Sequence, residues 1–336
     1  MLTSRTVSTR RAVLAAALFI ALDRNDAAGE APLGVRNAHA MAYDADRGRV
    51  VLFGGADEQA VRGDLWEWDG AAWRLVSADG PPPRTFPALA YDRERKRLVL
   101  FGGNRILFGE GDEEDTFLDD TWEFGGAWRH LDTPGPKARA EASMAYDAAH
   151  RRIVLFGGYS RSNGQTLRLG DTWEWDGAAW RATSSASPSA RSGAAIAYDS
   201  RRQRIVLFGG NDANAETWER DRGEWLGIDA PALGRFNSAM AYDAGARQVV
   251  RFGGVKQGVR ESDTWLFDGR RWERATVPAP EPRNHAAVAY DERRGVLVLF
   301  GGHDGERVFG DTWEWRQGRW RLISRVAPRP HVDNGH

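Results

Sequence analysis

An all-β ring of six four-stranded blades, a β-propeller, is predicted by three observations. Gly-Gly pairs follow apolar runs at 54–55, 102–103, 157–158, 209–210, 253–254 and 301–302. A Tyr-Asp pair lies eleven residues upstream of each, opened by Tyr43, Tyr91, Tyr146, Tyr198, Tyr242 and Tyr290. An aromatic phrase follows downstream, spelled DLWEW, DTWEF, DTWEW, ETWER, DTWLF and DTWEW, with a further Trp six or seven residues beyond its first. The units recur every 44 to 55 residues. Self-similarity at that period, with four short strand signals in each unit, is the pattern of a propeller.

Each unit divides into its elements in the same order. An Arg stands seven residues before the Tyr, and the small-residue run after it, NAHAMAY in the first unit (37–43), reads as the innermost strand. DADRGR makes a turn. VVLF (50–53) is a continuous apolar run suited to a strand buried on both faces. A variable loop follows Gly-Gly, then LWEW (65–68) as the third strand and Asp69-Gly70 as a hairpin turn. The fourth strand begins near Trp73, and a Pro-rich linker such as GPPP (80–83) leads to the next Arg. The expected blades are about 34–79, 80–134, 135–187, 188–230, 231–278 and 279–325, with 326–336 a flexible tail. Each blade holds its own four strands, so the ring is expected to close mainly by packing blade six on blade one.

The apolar run, Gly-Gly and spaced aromatics ending in Trp resemble the kelch repeat over about residues 34–325. The resemblance implies a propeller but no single activity, because such propellers serve as binding modules and as enzymes.

Residues 1–31 read as an export signal. Arg5, Arg10 and Arg11 precede the apolar run Ala12–Leu22, with small residues at Ala27–Gly29. Thr9–Leu14 resembles a twin-arginine signal. An eleven-residue run is short for a membrane span, and no later stretch is apolar enough for one. The mature domain is therefore expected in the periplasm or outside the cell, without stable membrane insertion. The 46 basic and 47 acidic residues nearly cancel, which gives no general field favouring nucleic acid. The chain has no Cys. Disulfides, zinc-thiolate sites and Cys nucleophiles are excluded, as is the Tyr–Cys radical cofactor of galactose oxidase, another kelch-type propeller. No motif for a cofactor, a metal or a catalytic nucleophile occurs.

Most repeated residues read as scaffold. The Trp residues are inter-blade packing, Gly-Gly permits close backbone approach, and Glu67, Glu123, Glu174, Glu219 and Glu314 are expected in ion pairs. Arg251 stands where the other units have Leu52, Leu100, Leu155, Leu207 and Leu299, so it either pairs with a neighbouring carboxylate or reaches a ligand. Strand direction places the Gly-Gly loops and the linkers on one face, here called the loop face, and the short hairpin turns opposite. Arg36, Arg84, Arg139, Arg191, Arg235 and Arg283 open the innermost strands on the loop face. Kelch domains that bind acidic peptides use Arg near these strand starts, so the resemblance implies a cationic ring and an anionic ligand; pairing with a neighbouring Asp is the competing reading.

His39, Glu141, Asn237 and His285 break the repeat near the same mouth, and His303 opens the sixth loop. Unmatched polar groups at a pseudo-symmetric mouth supply discrimination between ligands. Three functions remain open: an exported, noncatalytic module recognising a protein or an anionic peptide or glycan; a carbohydrate-active enzyme; or a structural part of a cell-surface assembly. For the second, the chain resembles sialic acid mutarotases in repeat count and expected location, with Glu141, His39 and His285 as acid–base groups.

Overall fold

Six four-stranded antiparallel sheets, each built from strands of a single repeat, form the frame of the computed structural model. It describes residues 33–106, 116–183, 188–211 and 215–325. The expected export signal, the acidic run at 110–115 and the expected tail lie outside the described residues. The innermost strands are Ala40–Asp44, Ala88–Asp92, Ser143–Asp147, Ala195–Asp199, Ala239–Asp243 and Ala287–Asp291. Each packs against the next, and the last packs against the first. The molecule is a six-bladed β-propeller.

Register follows the repeat. In blade one Leu52 pairs with Trp66 and with Met41, and Val50 with Trp68 and Tyr43. The second strands are buried throughout their apolar runs, as continuous apolar strands require. Two small hairpins rise from the loops of blades three and five: Tyr159–Ser162 with Gln165–Arg168, and Val255–Lys256 with Val259–Arg260.

The repeated residues prove to be ties between blades or within them. The fourth-strand Trp reaches back to the preceding blade and donates to its third-strand Thr, as Trp180 does to Thr121 at 2.9 Å and Trp73 to Thr312 at 3.1 Å. Blade one has Leu65 where the others have Thr, and Trp128 Nε1 opposite it is buried without a partner. At the turn face, Tyr91, Tyr198 and Tyr43 accept backbone N–H bonds from turns of the preceding blade. The adjoining Asp closes the turn of its own blade: Asp44 accepts from the amides of Asp46 and Arg47. The third-strand Glu residues are ion-paired, with Arg47, Arg129, Arg220, Arg202 and Arg294 respectively.

Two closed circuits of backbone hydrogen bonds run around the loop face. In one, the N–H of each second loop glycine donates to the carbonyl of the next blade's repeated Arg, at 2.8–3.0 Å, ending with Gly302 to Arg36. A Cβ on Gly301 would lie 2.2 Å from that Arg36 oxygen, which explains the invariant glycine there. The other circuit forms the mouth, described below. Both pass through the seam between blades six and one, where Leu33 is also buried against Phe300. The ring closes by packing and hydrogen bonds while every blade keeps its own four strands.

Candidate functional site

The mouth is built from one residue per blade, two positions after the repeated Arg: Ala38, Phe86, Glu141, Gly193, Asn237 and His285. All six adopt φ between +52° and +60°, a region costing a non-Gly residue roughly 1–2 kcal/mol. The circuit they form offsets that cost. Each donates its N–H to the carbonyl of its counterpart one blade back, at 2.7–3.4 Å, and Ala38 to His285 closes the circle. With the backbone held by its own bonds, the side chains are free to differ. Here the pseudo-symmetry ends.

These residues and the ones that follow them line a cavity of about 140 Å³. Asn237 Nδ2 donates to Glu141 Oε1 at 2.9 Å and also contacts His285 Nε2. Gly193, in the intervening blade, makes this possible, because a Cβ there would fall 2.2 Å from Asn237 Oδ1. His285 Nδ1 lies 3.0 Å from His303 Nε2. An amide nitrogen can only donate, so Asn237 Nδ2 donates to His285 Nε2, and Asn284 Nδ2 lies 3.5 Å from each nitrogen of the same ring. Phe86 meets the His285 ring edge-on at 4.8 Å. Glu141 Oε1 is 3.7 Å from His285 Nε2. Burial lowers the His303 pKa to about 4, with His285 and Arg260 adding to the effect. His303 also lines a second cavity of about 270 Å³, between the loops of blades one and six. The two imidazoles thus join an outer cleft to the mouth.

Glu141, Asn237, His285 and His303, all expected from the sequence, form one network. His39 stands one position out of register with the ring. It borders the cavity, but its imidazole is buried at the seam, 5.6 Å from the Phe300 ring, and burial followed by the Arg36 charge lowers its pKa to about 3. The structure does not form the expected cationic ring. Arg36, Arg84, Arg139, Arg191, Arg235 and Arg283 are all at most 4% exposed. They bond the acids of the D-x-W or E-x-W segments, Asp64, Asp120, Asp171, Glu216, Asp263 and Asp311, at 2.5–3.1 Å. Five of them also bond the first loop glycine's carbonyl. A guanidinium satisfied by a carboxylate and a carbonyl is a structural clamp. Burial works to raise the Asp64, Asp120 and Asp171 carboxyls, and the Arg bonds more than reverse it, leaving them below the usual range.

Phe86, Ala38 and Gly193 escape a search for polar residues. The signal that finds them is the fixed offset of two from each Arg. At the other end of the channel, the six Tyr and rings of Ala and larger apolar residues enclose a funnel of about 260 Å³.

No protein-family model matches the chain, and no curated protein matches it. Among solved structures, that of YjhT superposes with a TM-score of 0.67 at 13% identity, over 86% of this chain and 98% of its own. The likeness is one of fold. The function therefore rests on the mouth itself.

Proposed function

We propose that the protein is an exported binding module that takes a polar, hydroxyl-bearing group of a glycan or peptide into the loop-face mouth. The observation that carries this reading is the convergence of Glu141, Asn237 and His285, from three blades, on a cavity of about 140 Å³. A carboxylate acceptor, an amide and an imidazole beside the Phe86 ring suit a ligand with hydroxyls and one apolar face. The repeated Arg residues support the scaffold, so recognition uses directed hydrogen bonds rather than a cationic ring. A glycan and peptide array probed with the wild type, Glu141→Gln and His285→Ala tests this. Hits that disappear in both variants support the reading, and hits retained in both reject it.

The Glu141–His285 distance of 3.7 Å, with His303 behind it, favours one alternative. A carboxylate and an imidazole so placed can exchange a proton with a bound sugar at its anomeric centre, the work of a mutarotase-like enzyme. Anomer exchange followed by NMR decides it: a rate above the spontaneous one, lost in Glu141→Gln, supports catalysis, and the spontaneous rate rejects it.

A further inference from the structure

Blade five departs from the other blades at two positions that belong together. In blade one, Leu33 covers Leu52 and Trp66. The residue three before the repeated Arg is buried in four more blades, as Pro81, Pro136, Pro188 and Pro280, and the second-strand Leu is buried in each of these. In blade five the pair becomes Ala232, partly exposed, and Arg251, 1% exposed. A cleft of about 650 Å³ borders this linker, lined by Ile228, Ala230, Pro231 and Ala232 with Asn211 and Glu216. Ile228, Ala230 and Ala232 share one apolar cluster with Phe208, Trp265 and Trp272. Those three rings surround the Arg251 guanidinium at 4.5, 5.7 and 5.5 Å.

The guanidinium is electrostatically incomplete. Its Nε, Nη1 and Nη2 are buried and make no hydrogen bond. The nearby carboxylate does not close this gap: Asp263 Oδ2 accepts from Arg235 Nη2 and from Trp265 Nε1, both at 2.7 Å, and its Oδ1 is buried without a hydrogen bond to Arg251. Arg235, Arg251 and Asp263 therefore form a buried set with one net positive charge. Glu261 approaches only Arg235, at 3.8 Å, from a more exposed position. Cation–π contact with three rings offsets part of the cost of burying the charge, but it does not replace the hydrogen bonds that an ion in the interior needs. Burial pulls the Arg251 pKa down to about 9, so the charge persists at neutral pH. In-plane donors with no acceptor, in a net-positive pocket, call for a negative ligand.

We propose that a small monovalent anion of the halide class binds the guanidinium edge of Arg251, near the cleft bordered by the linker that leaves blade four. Glu216, committed to Arg191 at 2.6 Å, and the exposed Asp229 line the approach and disfavour polyanions. The anion replaces what the buried linker residue and Leu supply elsewhere, and it stabilises the folded protein by mass action.

The test is thermal unfolding of the wild type and of Arg251→Leu, which restores the residue of the other blades. Chloride, bromide and gluconate are compared at equal ionic strength. The wild type should melt higher in chloride and bromide than in gluconate, with saturation, and Arg251→Leu should lose that difference. Bromide-soaked wild-type crystals should show an anomalous peak within hydrogen-bonding distance of the guanidinium. A halide effect equal in both proteins, or no peak at Arg251, overturns the proposal. A peak without any wild-type-specific halide effect means an adventitious ion only and also overturns it. Should Arg251→Leu fail to fold, Arg251→Met and the bromide map decide.

Discussion

In every blade the clamped Arg and the mouth residue stand two positions apart on one short stretch of backbone, and they have opposite fates. The Arg is the same six times, buried, and held by its own blade's acid and, in five blades, a loop carbonyl. The mouth residue is never the same twice, although its backbone conformation and hydrogen bond are. A repeated side chain with repeated partners reports what the ring needs to close. A repeated backbone carrying unrepeated side chains leaves their identity to other demands. The difference separates the scaffold from the proposed site without reference to any relative.

That contrast can be broken by experiment. Arg84→Ala would strand Asp120 without its bidentate partner, and should cost about 3–5 kcal/mol in denaturant unfolding. Glu141→Gln at the mouth should stay within about 1 kcal/mol of the wild type. Equal costs would erase the distinction.

His39 sharpens it, since it lies near the mouth but behaves as scaffold. Its folded pKa of about 3 lies below the unfolded value. The stability it supports is therefore complete above about pH 6.5 and is lost as pH falls toward 3. Between pH 6.5 and 4 the loss should be about 3 kcal/mol. Acid titration of stability should be correspondingly shallower in His39→Leu, and an unchanged slope would contradict its burial as a neutral group.

Gly193→Ala combines a φ of +60° with a Cβ placed 2.2 Å from Asn237 Oδ1. It should cost about 1–2 kcal/mol and expel Asn237 from the network. A crystal structure of the variant with Asn237 still bonded to Glu141 would show that the gap is incidental. The smallest effect compares two scaffold positions. Trp180 donates to Thr121, whereas Trp128 faces Leu65 and donates to nothing. Trp180→Phe should therefore cost about 1 kcal/mol more than Trp128→Phe. Equal costs would mean that the Trp–Thr bonds contribute nothing to the ring.

Most of the fold was legible because each blade repeats its own instructions. Spacing alone located third strands such as Leu65–Trp68 and the start of the fourth at Trp73. The hairpin Tyr159–Arg168 was missed, although its Asn163-Gly164 turn is a strong hairpin signal. A loop regarded only as variable hides local order. The sequence places the Arg residues on the loop face and leaves two directions open, a cationic ring or pairing with a neighbouring Asp, and the structure shows the pairing. Sequence shows where a strand begins but not whether a long side chain folds back into its own blade, and bidentate pairing with Asp64 and its counterparts decides that. Arg251 was legible as an anomaly, but Ala232, its companion, becomes meaningful only once the linker is seen to cover the strand. Glu141, Asn237 and His285 were found as exceptions to the repeat, while Phe86 was overlooked because an aromatic looks like packing.

The most direct test of the central claim measures ligand affinity and unfolding midpoint together for Glu141→Gln, using the strongest array hit of the wild type as ligand. Loss of a hydrogen bond to a charged group at the mouth should weaken binding about tenfold or more, with the midpoint essentially unmoved. Binding that persists, or that falls only in step with the midpoint, would show that the mouth is scaffold like the rest.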